Sequence, residues 1–298
     1  MTKTTLSGNV SLATPLIIQN GDELEVLPGT VITCSSTTFP TTLQTIQNTG
    51  IIIGAAGSII TMNGTKENPI TIKGAGDGRW GGIQLCSYDI YTPKSVLESF
   101  TVAEVGLDIY NALRYGKWDE LVGRKTTVSM NYVEISKAGS IITGDREFNS
   151  LTLCGITTTS IDNIKVLSST DDGVEIFSGY VAGTNWVIQA AEDDALDIDQ
   201  GALVELINLL LLQAPTKTHL EMGSLKNDLG NSLLIAANVL TNGTIRTVLK
   251  ANTQALVSGF IPNSGRPSLL FDYNAWGTKV DDFGVTNQML NAPPEKAT

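Results

Sequence analysis

Two stretches of this chain, Asp171-Asp172-Gly173-Val174-Glu175-Ile176 and Asp193-Asp194-Ala195-Leu196-Asp197-Ile198, are near-copies offset by 22 residues. In each, an acidic turn leads into a run that alternates apolar, acidic, apolar. In a strand, Val174 and Ile176 face one way and Glu175 the other, and Leu196, Asp197 and Ile198 repeat the arrangement. The match extends upstream, where Ile164-Lys165-Val166-Leu167 falls opposite Trp186-Val187-Ile188-Gln189. A whole supersecondary unit therefore recurs. A period in the low twenties marks a solenoid, and strands and turns without an intervening helix predict a parallel β-helix, each coil about 4.8 Å above the last.

Stacking the coils also stacks their charges. At roughly 5 Å, Glu175 and Asp197 repel by about 1 kcal/mol in water and about 3 kcal/mol at an effective dielectric near 20. The larger figure calls for a cation, a raised pKa or a basic partner, so this acidic ladder is the first place to look for a site.

The sequence has 298 residues, a formal net charge of -11 and a pI near 4.5. No cluster of Lys and Arg offers phosphates a footing, which argues against a nucleic-acid partner. Cys34, Cys86 and Cys154 are widely spaced, lack any C-x-x-C pairing, and read as small buried hydrophobes. Met1 to Gly8 has no apolar signal-peptide core, and the longest apolar run, Leu203 to Leu212, is too short to span a bilayer and carries Glu205 and Asn208. The expectation is a chain made and kept soluble, with no membrane partner.

From the N-terminus to residue 86, short β-branched runs alternate with turn residues: Leu16-Ile17-Ile18, Leu24-Glu25-Val26-Leu27, Val31-Ile32-Thr33, Ile51-Ile52-Ile53, Ile59-Ile60-Thr61, Ile70-Thr71-Ile72 and Ile83-Gln84-Leu85. Residues 87–127 break the pattern with aromatic and apolar residues at partly helical spacing, which predicts a partly helical excursion packed on the solenoid. Tyr88, Tyr91, Tyr110, Tyr115 and Trp118 in this segment are candidate binding residues; the competing reading is that they cover apolar coil. Coils resume over 128–290. Leu203 to Leu212 is apolar enough to need cover on both faces, Ser268 to Trp276 is the expected cap of the open end, and 291–298 is the expected disordered tail.

A family resemblance rests on particular residues. Leu24-Glu25-Val26-Leu27-Pro28-Gly29-Thr30-Val31-Ile32 resembles the strand, Pro-Gly-Thr turn, strand signature of β-helical surface proteins of the Bacteroidetes type. Gly64-Thr65-Lys66-Glu67-Asn68-Pro69-Ile70-Thr71-Ile72, Trp80-Gly81-Gly82-Ile83 and the Asp-Asp ladder are similar to further coils of that family. The resemblance implies an all-β fold, a right-handed parallel β-helix, and a surface or adhesive setting without defined catalytic residues. Those proteins normally carry a secretion signal and often a C-terminal sorting domain, and this chain shows neither. By exclusion, the setting expected is a bacteriophage virion, with the extracellular space or cell surface as the alternative.

For chemistry, one histidine, His219, and no G-x-S-x-G elbow leave little from which to build a nucleophilic triad or a histidine zinc site. His219 is expected at the surface, and Gly74 to Gly78 as a turn with no phosphate-loop lysine. The carboxylates are the remaining chemistry. If the chain is an enzyme, Asp172, Glu175, Asp194 and Asp197 are the candidate catalytic residues of a polysaccharide lyase or glycoside hydrolase, with Lys165 the nearby base in sequence. No cofactor is expected beyond calcium, for which Asp171, Asp193, Asp197 and Asp199 are candidate ligands without EF-hand spacing. The third reading is a solvated acidic edge with aspartates capping tight turns. The function expected is a non-enzymatic structural or adhesion module, a fibre, spike or capsid-associated protein. Its expected partners are other structural proteins, its own copies in an oligomer, or a cell-surface glycan.

Overall fold

The computed structural model describes residues 1–35, 49–88, 101–103, 112–116, 125–143, 146–214, 216–223, 232–241, 246–250, 253–262 and 283–291. Among these there is no helix; strands of two to twelve residues carry the coils, as the β-branched content requires. They assemble into a 14-stranded sheet and an 8-stranded sheet, in which successive coils pair in parallel. The long sheet runs through Glu23–Val26, Ile59–Asn63, Thr127–Ala138, Ile161–Ser169, Tyr180–Gln189, Leu203–Leu212 and Leu233–Thr241. The short sheet runs through Pro15–Ile18, Ile51–Gly54, Ile83–Cys86, Leu151–Cys154, Val174–Phe177, Asp194–Asp199, Thr218–Met222 and Thr247–Leu249. The chain is a parallel β-helix, as the 22-residue offset predicted.

Register explains the core. Val26, Met62, Met130 and Ile161 stack as Cα partners along the long sheet, and Leu151, Val174, Leu196 and Leu220 along the short one. These inward residues join one continuous apolar cluster in the bore of the solenoid. The alternation of side chains then sends Gln84, Thr152, Glu175, Asp197 and Glu221 outward in a single column.

The long strands bend at a second ladder that the repeat did not announce. Asn163, Asn185, Asn208 and Asn238 sit at φ between 53° and 64°, the left-handed region that asparagine tolerates better than other side chains. Each amide nitrogen donates to the previous coil's amide oxygen: Asn163 to Asn131 at 2.7 Å, Asn185 to Asn163 at 3.0 Å, Asn208 to Asn185 at 2.7 Å and Asn238 to Asn208 at 3.0 Å. The bend divides each long strand into two faces, and with the short sheet the coil has three.

One expectation is corrected here. The excursion shows no helix in its described residues; Thr101–Val102 and Arg114–Tyr115 form an antiparallel pair instead. Ala103, Ala112, Leu113 and Tyr115 from this segment pack with Ile51, Ile53, Cys86, Cys154 and Phe177 on the outside of the short sheet. The short apolar run Ile51 to Ile53 is thus buried on both faces, which local periodicity cannot distinguish from a helical segment. The cap expected at Ser268 to Trp276 lies outside the described residues, and Phe283–Asn291 pairs antiparallel with Gln254–Pro262, the last parallel strand. Leu203–Leu212 behaves as its composition demands: Val204, Leu206, Leu209 and Leu211 enter the core and Leu210 is buried as well. All three cysteines are free thiols and buried.

Candidate functional site

The outer face of the short sheet falls into two halves. Toward the N-terminus it is apolar and lies under the excursion; beyond Thr152 it becomes a bank of carboxylates. The alternation that made the core builds this bank, because Glu175, Asp197 and Glu221 are the outward residues between Val174 and Ile176, Leu196 and Ile198, and Leu220 and Met222. Glu175 and Asp197 are Cα partners on adjacent coils, as the ladder required. The Asp-Asp turns stack beside them, with the Asp194 backbone N–H donating to Asp172 Oδ1 at 2.9 Å.

This bank is not a solvated edge. Glu175 is 2% exposed, Asp194 5% and Asp172 8%. Oxygens of Asp172, Glu175 and Asp197 lie within 4.8 Å of one another, and a second group of the same span joins Asp171, Asp172 and Asp193. Burial raises the carboxyl of Asp172 well above the usual range, and the neighbouring charges of Asp197 and Asp171 raise it further. Asp197 is raised likewise by burial and then by Glu221. Asp194 is raised to about 7, chiefly by burial and next by Glu221.

Asn149, Glu221 and Lys250 belong to the site and were missing from the sequence reading. Asn149 donates its amide to Glu175 Oε2, while its Oδ1 accepts the Asp172 backbone N–H at 3.0 Å. Lys250 Nζ sits 2.5 Å from Glu221 Oε1, the last carboxylate of the column. Glu221 lies 24 positions after Asp197, close to the 22-residue offset, and its His-Leu-Glu-Met context keeps the apolar, acidic, apolar signal. Asn149 and Lys250 left no comparable mark, since they arrive from turns whose lengths differ between coils.

Other predicted residues lie elsewhere. Lys165, the base suggested by its nearness in sequence, belongs to the long sheet and pairs with Glu134 at 3.2 Å. Asp199 is in neither carboxylate group; its Oδ1 accepts the backbone N–H of Gln200 at 2.6 Å and closes a turn. His219 is buried, not at the surface, with Nδ1 accepting the Arg246 backbone N–H at 3.1 Å. Tyr115 is 1% exposed, packs at 6.1 Å from the Phe177 ring and donates its hydroxyl to Gln200 Oε1 at 2.8 Å. Tyr88 is buried at the root of the excursion. Neither ring faces solvent, whereas Tyr91, Tyr110 and Trp118 lie outside the described residues.

A groove of about 390 Å³ opens on the outside of the long sheet, lined by Asp162, Thr184, Glu205, Ile207 and Ile235 among others. Ile207 is 51% exposed there. Asp162 Oδ1 is held by the Thr184 hydroxyl and backbone N–H, and Glu205 accepts from the Tyr180 hydroxyl at 3.1 Å.

Stacked parallel coils with an acidic outer column define a β-helical solenoid. Residues 1–257 match the family described as pectate-lyase-like β-helix domain, and the chain belongs to that family. Comparison with curated proteins and with solved structures returned no match.

Proposed function

We propose that this chain is a non-enzymatic structural or adhesion β-helix, a virion component of a bacteriophage such as a fibre, spike or capsid-associated protein. The observation that carries the non-enzymatic part is the burial of the acidic ladder. A polymeric substrate needs the acid and the base on either side of a scissile bond, and Glu175 and Asp172 are withdrawn from solvent and tied to Asn149. A lysine that served as the base of an elimination would have to be neutral. Lys250 pairs with Glu221, an attraction that outweighs its partial burial and raises its pKa, so the amine stays protonated. The outer face of the long sheet, with exposed Ile207 and Ile235 beside polar Thr184 and Glu205, suits lateral contact with another structural protein, a second copy or a glycan. For the virion setting, capsid and tail genes flanking this one are the expected finding.

One observation favours a carbohydrate-active enzyme instead. Asp194, with its pKa near 7, holds a proton at neutral pH as a general acid does. A screen on acidic and neutral polysaccharides, read by reducing ends and by ultraviolet absorbance of unsaturated products, decides between the two. No cleavage is expected from the wild-type chain. Cleavage that disappears in Asp172→Ala and Asp194→Ala would overturn the structural reading.

A further inference from the structure

The groove on the outside of the long sheet takes its shape from the register. Thr184, Ile207 and Ala237 follow one another as Cα partners in one outward column, and Ala182, Glu205 and Ile235 form the column beside it. Asp162, one coil earlier, is fastened to Thr184 by two hydrogen bonds, at 2.7 and 2.8 Å. The small side chains of Ala182 and Thr184 therefore floor a trough along the strand direction, walled by Asp162 on one side and by Glu205 and Ile207 on the other. Its lining holds two carboxylates and no Lys, Arg or His. Neither Asp162 nor Glu205 joins an ion pair among the described residues. Each is anchored through one oxygen, Asp162 Oδ1 on Thr184 and Glu205 Oε2 on the Tyr180 hydroxyl, which leaves Asp162 Oδ2 and Glu205 Oε1 for an incoming donor. Beside these charges Ile207 is 51% and Ile235 38% exposed.

We propose that this groove docks a cationic, aliphatic segment of another protein, extended along the coil, with arginine or lysine on Asp162 and Glu205 and aliphatic side chains on Ile207 and Ile235. Charge complementarity selects this occupant. Carboxylates are the natural partners of a guanidinium or ammonium group. Two that are already held by hydrogen bonds have little freedom left to lose when the partner arrives. A second copy fits poorly, because it brings a net charge of -11 against the same charge. A two-fold contact between copies would also set Asp162 and Glu205 against themselves. A glycan finds no aromatic ring among the lining residues to stack on. The inference names the partner for the lateral contact of the structural reading, and rests on that reading.

The test uses the full chain and a fluorescein-labelled decapeptide of alternating arginine and isoleucine, read by fluorescence anisotropy at neutral pH. Saturable binding of one peptide per chain is expected, at least tenfold weaker when serine replaces isoleucine in the peptide. Glu205→Gln and Ile207→Ser should each weaken binding at least fivefold. Asp77→Asn, an equal loss of charge at an exposed turn on an earlier coil, should leave it unchanged. No binding by the wild-type chain, wild-type affinity in both Glu205→Gln and Ile207→Ser, or equal binding of the serine peptide would overturn the proposal. So would a dimer in sedimentation, or an oligosaccharide retained on a glycan array, that Ile207→Ser abolishes, since the groove would then belong to a second copy or to a glycan. Far-UV circular dichroism checks each variant, and Ile235→Ser replaces Ile207→Ser if the latter fails to fold. Polysaccharide cleavage by a chain that binds the peptide sinks the structural reading and leaves the groove. A chain that neither binds the peptide nor cleaves glycan loses the groove partner alone.

Discussion

The asparagine ladder at the bend of the long sheet and the acidic ladder on the short sheet solve the same stacking problem with opposite results. Both place like side chains on successive coils, one strand spacing apart. An amide carries a donor and an acceptor, so Asn163, Asn185 and Asn208 each donate to the asparagine of the coil before and accept from that of the coil after. An ionised carboxylate only accepts, so Glu175, Asp197 and Glu221 cannot satisfy one another. Their stack needs protons, a cation, or donors from outside, and the structure supplies Asn149 at one end and Lys250 at the other. A self-sufficient ladder is an internal strut; a ladder that imports charge is sensitive to what the solution contains.

The sharpest way to break the contrast is to turn an amide rung into an acidic one. Asn185→Asp keeps the size and the tolerance of the left-handed backbone at φ 60° but removes the donor to Asn163 Oδ1. It sets two acceptors face to face, and should cost about 3 kcal/mol in urea denaturation at pH 8. Much of the loss should return at pH 4, where the new carboxyl gains a proton to donate. A cost below about 0.5 kcal/mol at pH 8 would mean that the ladder bonds add nothing net.

The acidic ladder should respond to pH in its own direction. Asp172, Asp194 and Asp197 all have raised values in the fold, so the folded chain holds protons that the unfolded chain, titrating near 3.9, has released. Their stabilising effect is complete below that unfolded value and is lost as pH rises through the folded one, about 7 for Asp194. In chelator, raising the pH from 5 to 8 should lower stability by about 1–2 kcal/mol, after allowing for solvent screening. Asp194→Asn should flatten that slope. A flat or rising profile for the wild type would contradict the burial of this cluster.

How much of this was legible beforehand depends on which residues a coil repeats. The 22-residue offset carries the inward apolar residues and the outward acid together, so the β-helix and the Glu175–Asp197 contact were readable from spacing alone. The asparagine rung was equally available, since Asn163 and Asn185 precede the matched Ile164 and Trp186 by one position. It escaped because an asparagine between strands reads as a turn residue. Lys250 and Asn149 were beyond reach, for spatial neighbours contributed by different coils share no sequence interval once the number of residues per coil varies, as between Asp197, Glu221 and Val248. Lys165 misled for the converse reason: nine residues separate it from Val174, yet the coil turns a corner between them and carries the lysine to another sheet.

The smallest effect is expected where the imported charge meets the ladder in partial contact with water. Lys250→Met removes the counter-charge of Glu221 while keeping an apolar stem of similar length. The pair is partly exposed, with 57% of the lysine side chain accessible, so the direct loss should be about 0.5–1 kcal/mol at low ionic strength. Half a molar salt should erase most of it, because screening at that strength acts over a few ångströms. Lys250 also lowers the pKa of Asp197, so its removal should steepen the pH dependence between 5 and 8. Thermal melts of wild type and Lys250→Met across two salts and two pH values separate these contributions. If the loss persists undiminished in high salt, the lysine acts through packing, and the short-sheet ladder draws less on imported charge than its contrast with the asparagines requires.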